Sequence, residues 1–226
     1  MLYLVPTPIG NLKDITYRAI EILKEVDLIL AEDTRQTKKL LDHYNIENSI
    51  QSHHKFNEHQ TTSNIVNKLR DEISIALVSD GGTPGISDPG YLLVRECLKE
   101  NIKVECLPGA TALIPALVNS GIPCHNFIFE GFLPVKKGRQ TKLQELESEK
   151  RTMVFYESPH RLLKTIAHFI ETFGGNRNAS VSRELTKIYE ETISGTLQEI
   201  QEYYLNHTVK GEIVIVVEGK SKKLKK

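Results

Sequence analysis

Short apolar runs alternate with amphipathic helical patterns along most of the chain, and this alternation is the strongest constraint on its fold. Four strand patterns in the first half, "LYLV", "LILAE", "ISIALV" and "KVECL", are separated by helical patterns. Such runs are typical of strands that are buried on both faces of a parallel sheet. The pattern therefore predicts an α/β architecture. We expect Asp14 and Thr34 to cap the first two helices and a third helix around 63–70, after a polar stretch.

The second half of the chain predicts a different arrangement of strands. The segment "LPVKKGRQ" (Leu133–Gln140) interrupts the alternation with proline, glycine and a basic cluster. The later strand patterns follow one another closely, as in hairpins, which favours a mixed sheet. We expect an N-terminal α/β domain over 1–117, a C-terminal α/β domain over 118–219 and a disordered basic tail over 220–226.

Composition limits the classes of partner and compartment. The formal net charge is zero, so attraction of the whole protein to nucleic acid is not indicated. The lysine-rich tail is either a solvated end or a weak RNA-binding arm. The three cysteines are odd in number and form no C-x-x-C, which favours a reduced, cytoplasmic protein. No stretch approaches the roughly 18 apolar residues of a membrane span, so no membrane association is expected.

The loop "SDGGTPGISDPG" (Ser79–Gly90) follows an apolar strand and indicates a place where backbone comes close to a ligand. It lacks the spacing and the lysine of a phosphate-binding P-loop, and its glycines do not form the dinucleotide fingerprint. Asp80 and Asp88 would repel a diphosphate. A zwitterionic or cationic ligand such as S-adenosylmethionine suits the loop better. The alternative is a tight loop beside a subunit interface.

Eight segments occur in an order that resembles one protein family. They are "LYLVPTPIGNLKDIT", "AEDTRQTKKLL", "VSDGGTPGISDPGYLLV", "LPGATALIPALVNSGIP", "EGFLP", "FYESPHRL", "SRELTKIYEE" and "GEIVIVVEG". The chain resembles the ribosomal RNA small subunit methyltransferase I family, a branch of the tetrapyrrole methylases with the class III methyltransferase fold. The resemblance implies two α/β domains with mixed and parallel sheets, S-adenosylmethionine in the cleft between them, and a homodimer. It also implies 2′-O-methylation of a decoding-site cytidine in 16S rRNA within the small ribosomal subunit.

The resemblance also implies a set of cofactor contacts. Thr83 stands where porphyrin methylases usually have aspartate, so Asp80 is the alternative source of that polar contact. The positions that match the family's cofactor-binding segments are Pro8, Asp80, Gly81, Gly82, Thr83, Ile86, Thr111, Ala112, Tyr156, Glu157 and Leu185.

The stretch "SHHKFNEH" supplies the candidates for the proton acceptor of the reaction. A ribose hydroxyl is a poor nucleophile at neutral pH, so a nearby base would help. His54 and Glu58 are the candidate catalytic residues. His53, His54 and His59 lack a fourth ligand and a suitable spacing, so no metal is expected. A polar surface loop without catalytic function is the alternative.

Basic residues in three segments are candidates for RNA binding, because local basic loops can hold phosphates when the net charge is zero. Pro159 is expected in the first turn of a helix, whose start would place His160 and Arg161 near a phosphate. A solvated, purely structural set of side chains is the alternative. The candidates are Arg35, Lys136, Lys137, Arg139, His160 and Arg161.

Two other functions remain open from the sequence. The same fold could methylate a tetrapyrrole or another small acceptor, although the polar stretch 51–62 does not suggest a large apolar cleft. The chain could also be a non-catalytic, cofactor-binding module of ribosome assembly. Longer members of the family carry a further C-terminal segment beyond the "VEG" strand, and the lysine tail is the candidate for its replacement in RNA binding.

Overall fold

The computed structural model describes residues 1–220, and the predicted tail beyond Lys220 lies outside the described residues. The chain divides into two compact units, Met1–Thr111 and the residues from Ala112 onward. The division lies at the end of a loop, whereas the expected boundary between 117 and 118 falls inside a helix, Leu113–Asn119.

The first unit is built around a five-stranded sheet in which every strand is parallel to its neighbours. The spatial order of the strands is β3-β2-β4-β1-β5. This confirms the parallel α/β architecture. The strand β3 lies at one edge and was not predicted, because its sequence "IQS" carries no apolar run. The strands are β1 Leu2–Leu4, β2 Leu28–Ala31, β3 Ile50–Ser52, β4 Ile75–Val78 and β5 Val104–Cys106.

Helices cover both faces of this sheet. Leu23 of α1 and Leu41 of α2 belong to one apolar core, whereas Ile65 of α3 and Leu93 of α4 belong to the other. The strands β1, β2 and β4 supply both cores because successive side chains point to opposite faces. The first unit is therefore a three-layer sandwich. The helices are α1 Tyr17–Glu25, α2 Thr34–His43, α3 Glu58–Arg70 and α4 Tyr91–Lys99, with a 3₁₀ turn at Leu12–Asp14.

Three of the predicted helix starts were wrong by a few residues. The side chain of Thr16, not Asp14, caps α1 by accepting the N–H of Ala19. Asp33, not Thr34, caps α2 by accepting the N–H of Arg35. The helix α3 begins at Glu58, inside the stretch expected to be a loop. For α1 and α2, a second residue that can cap a helix stands within two positions of the predicted cap, and propensity alone does not choose between them.

The second unit contains a five-stranded mixed sheet in the order β6-β7-β10-β8-β9. Only β6 and β7 are parallel, and the other neighbours are antiparallel, which confirms the predicted mixed sheet. Phe155, Phe169 and Tyr204 are among its largest fully buried side chains. The elements are α5 Leu113–Asn119, β6 Phe127–Phe132, α6 Arg139–Leu146, β7 Thr152–Glu157, α7 Leu162–Phe173, β8 Asn178–Arg183, β9 Glu191–Thr196, α8 Leu197–Leu205 and β10 Ile213–Val217.

Pro115 is the third residue of α5, where its missing N–H would have no helical partner, so it does not interrupt the helix. Cys97 is buried, whereas Cys106 is exposed. No helix within residues 1–220 is long and apolar enough to cross a membrane.

Candidate functional site

Three loops meet at the carboxyl edge of the sheet in the first unit. The loop after β1 and the loop after β4 are joined by two backbone hydrogen bonds between Thr7 and Gly82, of 3.0 and 2.8 Å. The Thr7 hydroxyl also donates to the carbonyl of Ser79 at 3.0 Å. Ligands of open α/β sheets bind outside the carboxyl ends of the strands. These loops therefore form the first wall of a candidate site.

Two glycines let these loops approach closely. Gly82 has φ +89°, a left-handed conformation that residues with a side chain rarely adopt. A Cβ at Gly109 would lie only 2.7 Å from the Cβ of Pro6, so the loop after β5 can contact the loop after β1 only without a side chain. The glycine-rich wall expected from the sequence thus has a steric basis.

Asp80 and Thr83 use their polar atoms differently. The hydroxyl of Thr83 donates to the carbonyl of Ala110 at 3.3 Å, which ties the loops after β4 and β5 together. Asp80 is exposed, and its Oδ1 accepts the N–H of Asp33 at 3.0 Å. A carboxylate is consequently present at the carboxyl edge of the sheet, and a cofactor contact by Asp80 stays a prediction.

The structure adds Glu32, which the sequence analysis did not single out. Glu32 directly follows β2, and its side chain is half-buried. Burial raises the pKa of Glu32 above its ordinary value, the negative charge of Asp80 raises it further, and His54 acts in the opposite direction. A carboxyl group whose pKa is raised is a stronger base than an ordinary glutamate, which suits it to accept a proton. The feature of the sequence that could have identified Glu32 is its position directly after a buried strand.

The two candidate catalytic residues are not equally placed. His54 lies close enough to Glu32 to influence its pKa, and its Nδ1 accepts the N–H of Phe56 at 3.2 Å. Glu58 is the first residue of α3. The geometry therefore favours His54 over Glu58.

His53 has a structural environment. It is fully buried, and its Nδ1 lies 2.9 Å from the Thr61 hydroxyl. Burial lowers its pKa to about 4, with a smaller contribution from His54. Among residues 1–220 no group of three or more His, Cys, Asp or Glu side chains is arranged to hold a metal.

In the second unit, Glu157 is buried and bound within the protein. Its carboxylate accepts the N–H of Ser158 at 2.8 Å and the hydroxyl of Thr165. Nε of Arg161 lies 3.3 Å from Oε1 of Glu157, the oxygen that also accepts the N–H of Ser158. With 3% of its surface accessible, Glu157 cannot offer its carboxylate to a cofactor without breaking this network. The expectation that Glu157 contacts the cofactor was therefore wrong.

Arg139 belongs to the same buried network and was also wrongly assigned to RNA binding. Its guanidinium donates to His168 Nδ1 at 3.1 Å, to the carbonyl of Pro134 at 3.2 Å and to the Thr165 hydroxyl at 2.7 Å. Its accessible fraction is only 6%. This burial was not predictable from the sequence, because a basic residue in a glycine-containing loop is ordinarily solvated.

Four other basic candidates for RNA binding differ in whether their side chains are bound within the protein or exposed. Arg161 donates to the carbonyl of Leu133 at 2.9 Å, so its guanidinium ties two loops together instead of facing a phosphate. The helix α7 begins only at Leu162, so Pro159 and His160 precede it. Lys136, Lys137 and His160 are exposed.

Arg35 is exposed, but its charge is paired. Its Nε and Nη2 donate to the two carboxylate oxygens of Asp33 at 3.0 and 2.6 Å. This hydrogen bonding lowers the pKa of Asp33 to about 2. Asp33 thus competes with any phosphate for this guanidinium.

The remaining cofactor candidates differ in exposure. Ile86 is exposed, while Pro8, Thr111 and Ala112 are partly exposed. In the second unit, the half-buried ring of Tyr156 packs edge-on against Phe129. Leu185 is buried and offers little surface to a ligand.

Comparisons with known proteins identify close relatives. Residues 1–201 match the family described as Tetrapyrrole (Corrin/Porphyrin) Methylases. A Ribosomal RNA small subunit methyltransferase I of Halalkalibacterium halodurans is 50% identical over 224 residues, covering 99% of this chain and 77% of the relative. One of Synechocystis is 51% identical over 220 residues, covering 97% and 79%.

Solved structures share the fold at low identity. A diphthine synthase structure has a TM-score of 0.75 at 13% identity, covering 97% of this chain and 90% of that one. Uroporphyrin III C-methyl transferase from Thermus thermophilus has a TM-score of 0.66 at 19% identity, covering 96% of each chain.

Proposed function

The chain belongs to the tetrapyrrole methylase family, in its ribosomal RNA small subunit methyltransferase I branch, and from this premise we propose that it methylates a ribose 2′-oxygen of a cytidine in 16S rRNA. The methyl donor is S-adenosylmethionine. The observation that carries the proposal is about 50% identity to relatives of that name over nearly the whole chain. The identity of the cytidine, at the decoding site, comes from the resemblance of the ordered motifs.

The first unit fits the methyl donor. The exposed carboxylate of Asp80 suits a positively charged group, and the exposed Ile86 suits an apolar ring. When bound, S-adenosylmethionine supplies an electrophilic methyl group on a sulfonium. We propose that Asp80, Ile86 and the backbone of the loops at Gly81 and Thr111 hold it.

The proton of the ribose hydroxyl needs an acceptor as its oxygen takes the methyl group. Glu32 is the group best suited, because its raised pKa makes it a stronger base than an ordinary carboxylate. His54 stabilises the charged form of Glu32 electrostatically. In this scheme Glu32 is the catalytic residue and His54 is a positioning residue.

Exposed basic groups of the second unit provide contacts to the RNA backbone. Lys136 and Lys137 lie in the loop before α6, and His160 lies in the loop before α7. Arg139 and Arg161 tie these two loops to Glu157 from inside. Ordered loops lose less conformational entropy on binding, so the buried network supports the exposed lysines. The substrate partner is 16S rRNA, free or within the small subunit, and the proposed assembly is a homodimer.

The function is tested by mapping ribose methylation of 16S rRNA from cells with and without the gene, and by transfer from labelled S-adenosylmethionine to unmethylated small subunits. We expect one labelled cytidine ribose in vitro and its loss in the deletion strain. Normal methylation in the deletion strain would overturn the proposal, as would label in a porphyrin precursor with none in rRNA. Light scattering of the purified protein tests the homodimer.

A further inference from the structure

An aromatic side chain projects from the loop between β3 and α3. Phe56 leaves 90% of its surface accessible, whereas Phe155 and Phe169 are fully buried. Within residues 50–70, all of which the structure describes, no other large apolar side chain is exposed. Folding therefore leaves the ring of Phe56 uncovered and available to a ligand.

The backbone on both sides of Phe56 is fixed by hydrogen bonds. The side chain of Asn57 accepts the N–H of His54 at 2.7 Å and donates to the carbonyl of Ser52 at 3.2 Å. The N–H groups of Asn57 and Glu58 both donate to the carbonyl of His54 at 2.9 Å. The N–H of Phe56 itself donates to Nδ1 of His54. A loop that is ordered before binding loses less conformational entropy on binding, so the ring is presented in a preformed position.

Phe56 lies near the proposed reaction centre. Because β3 is parallel to β2, the loop that carries Phe56 is at the same carboxyl edge of the sheet as Glu32. The rings of Phe56 and His54 meet at an interplanar angle of 68°, with their centroids 6.0 Å apart. His54 in turn is close enough to Glu32 to influence its pKa. A substrate group that covers Phe56 is therefore near the group proposed to accept the ribose proton.

The residues that flank Phe56 favour a nucleic acid over a protein partner. Lys55, the preceding residue, is exposed, and so are His59 and Gln60 at the start of α3. Surfaces that dock proteins join several apolar side chains into one patch, whereas this segment exposes a single aromatic ring among polar and basic side chains. Bases of single strands stack on such rings, and a neighbouring lysine can pair with the phosphate of the same strand.

We infer that Phe56 is a stacking platform for an unpaired base of the RNA substrate and that Lys55 contacts a phosphate of the same strand. The inference rests on the proposed function for RNA as the ligand. Bases inside a duplex are stacked on their neighbours, so this surface requires a single-stranded segment beside the acceptor ribose. Every base has an aromatic face, so the contact orients the strand without reading its sequence. Phe56 is in this sense a positioning residue.

The test measures RNA affinity of the intact protein by fluorescence anisotropy. The probes are a labelled RNA single strand of about ten nucleotides and the same strand paired in a duplex. Phe56→Ala removes the ring, Phe56→Trp keeps an aromatic face, and Phe56→Leu keeps apolar surface without one. Leu98→Ala is the matched control, because Leu98 is also exposed but lies in the last turn of α4, at the other end of the helix from the carboxyl edge.

The dissociation constant for the single strand should rise by about tenfold in Phe56→Ala and in Phe56→Leu. It should stay near the wild-type value in Phe56→Trp and in Leu98→Ala, and duplex binding should be the same in all four variants. Lys55→Met should lower the slope of the salt dependence for the single strand by about 0.7.

Three results would overturn the inference: no binding of the single strand by the wild type, wild-type affinity in Phe56→Ala, or an equal loss for the duplex. Wild-type affinity in Phe56→Leu together with a loss in Phe56→Trp would overturn it as well, and would indicate an apolar contact with a protein. If the expected pattern appears but the wild type methylates no ribose of the small subunit, the proposed function fails and the stacking platform stands. If Phe56→Ala binds and methylates RNA like the wild type, only the stacking platform fails.

Discussion

Arg139 and Glu157 lie buried together in the second unit, with Nη2 of the arginine 3.9 Å from Oε2 of the glutamate and the Thr165 hydroxyl bonded to both. Neither side chain exposes more than 7% of its surface. Both occur in segments that, in the sequence, looked like ligand-binding loops. Their pairing makes them the internal support of those loops, and the predictions about the second unit follow from it.

Arg139→Met should destabilise the protein without directly removing an RNA contact. Removing one partner of a buried ion pair leaves the other charge uncompensated, which costs about 3–5 kcal/mol. Urea unfolding monitored by circular dichroism measures the free energy of unfolding. Lys142→Met is the control, because its pair with Glu130 is more exposed and should contribute less than about 1 kcal/mol. An equal decrease of the free energy of unfolding in the two variants would contradict the assignment of Arg139 to a buried ion pair.

Lys136→Gln/Lys137→Gln should weaken binding to small subunits while leaving stability unchanged. Each exposed lysine that contacts a phosphate contributes about one unit to the salt dependence of binding, so the slope should fall by about two. Filter binding at several salt concentrations measures this. Lys103→Gln/Lys164→Gln removes two other exposed lysines and should keep the wild-type slope. If the slope of the salt dependence falls equally in both double variants, the effect comes from the change in net charge and not from the loss of lysines in this loop.

Glu32→Gln should lower kcat by about 10²–10⁴ with little effect on affinity for S-adenosylmethionine, because it removes the proton acceptor. The raised pKa of Glu32 means that its carboxylate forms only at higher pH than an ordinary glutamate. The activity of the wild type should therefore fall as pH decreases through this raised pKa, and the variant should lack that limb. Profiles of kcat against pH measure both effects. Glu58→Gln is the comparison, and a larger loss there would restore Glu58 as the catalytic base.

His53 should make the folded state sensitive to acid. Its pKa is lowered by burial to about 4 from the model-peptide value of 6.5, so below pH 6.5 the unfolded chain binds a proton that the folded protein does not. Stability is therefore complete above pH 6.5 and decreases as pH falls towards 4, by about 3 kcal/mol. The free energy of unfolding at pH 7 and pH 4 measures this.

His53→Gln tests whether His53 causes this acid sensitivity. The variant should lose about 3 kcal/mol of the difference in unfolding free energy between pH 7 and pH 4. His59→Gln is the control, because His59 is exposed. An unchanged difference between pH 7 and pH 4 in His53→Gln would assign the acid sensitivity to other groups.

Local sequence patterns were sufficient to predict the architecture, because the apolar residues that pack on a sheet recur along the sequence with a regular spacing. The apolar strands and amphipathic helices gave the parallel sheet of the first unit and the mixed sheet of the second. The edge strand at Ile50–Ser52 carries little apolar surface and was missed. Helix starts were displaced by a few residues because several neighbouring polar residues can cap a helix, and the choice among them depends on the fold.

The site was only partly predictable. The glycine-rich loops could be located in the sequence, because glycine is favoured where the backbone adopts a left-handed conformation or approaches another segment closely. Glu32, Arg139 and Glu157 could not be assigned, because their behaviour depends on groups that are distant in sequence. Asp80 raises the pKa of Glu32 from the loop after β4, and Thr165 lies 26 residues from Arg139.

The sequence by itself determined the order of strands and helices, the positions where backbone must approach backbone, and the family to which the chain belongs. The tertiary structure decided which charged side chains are free to bind and which hold the fold together. The physical reason is that the cost of burying a charge and the shift of its pKa depend on solvent exclusion and on nearby charges. Those quantities exist only once distant segments such as Arg139 and Glu157 have been brought together.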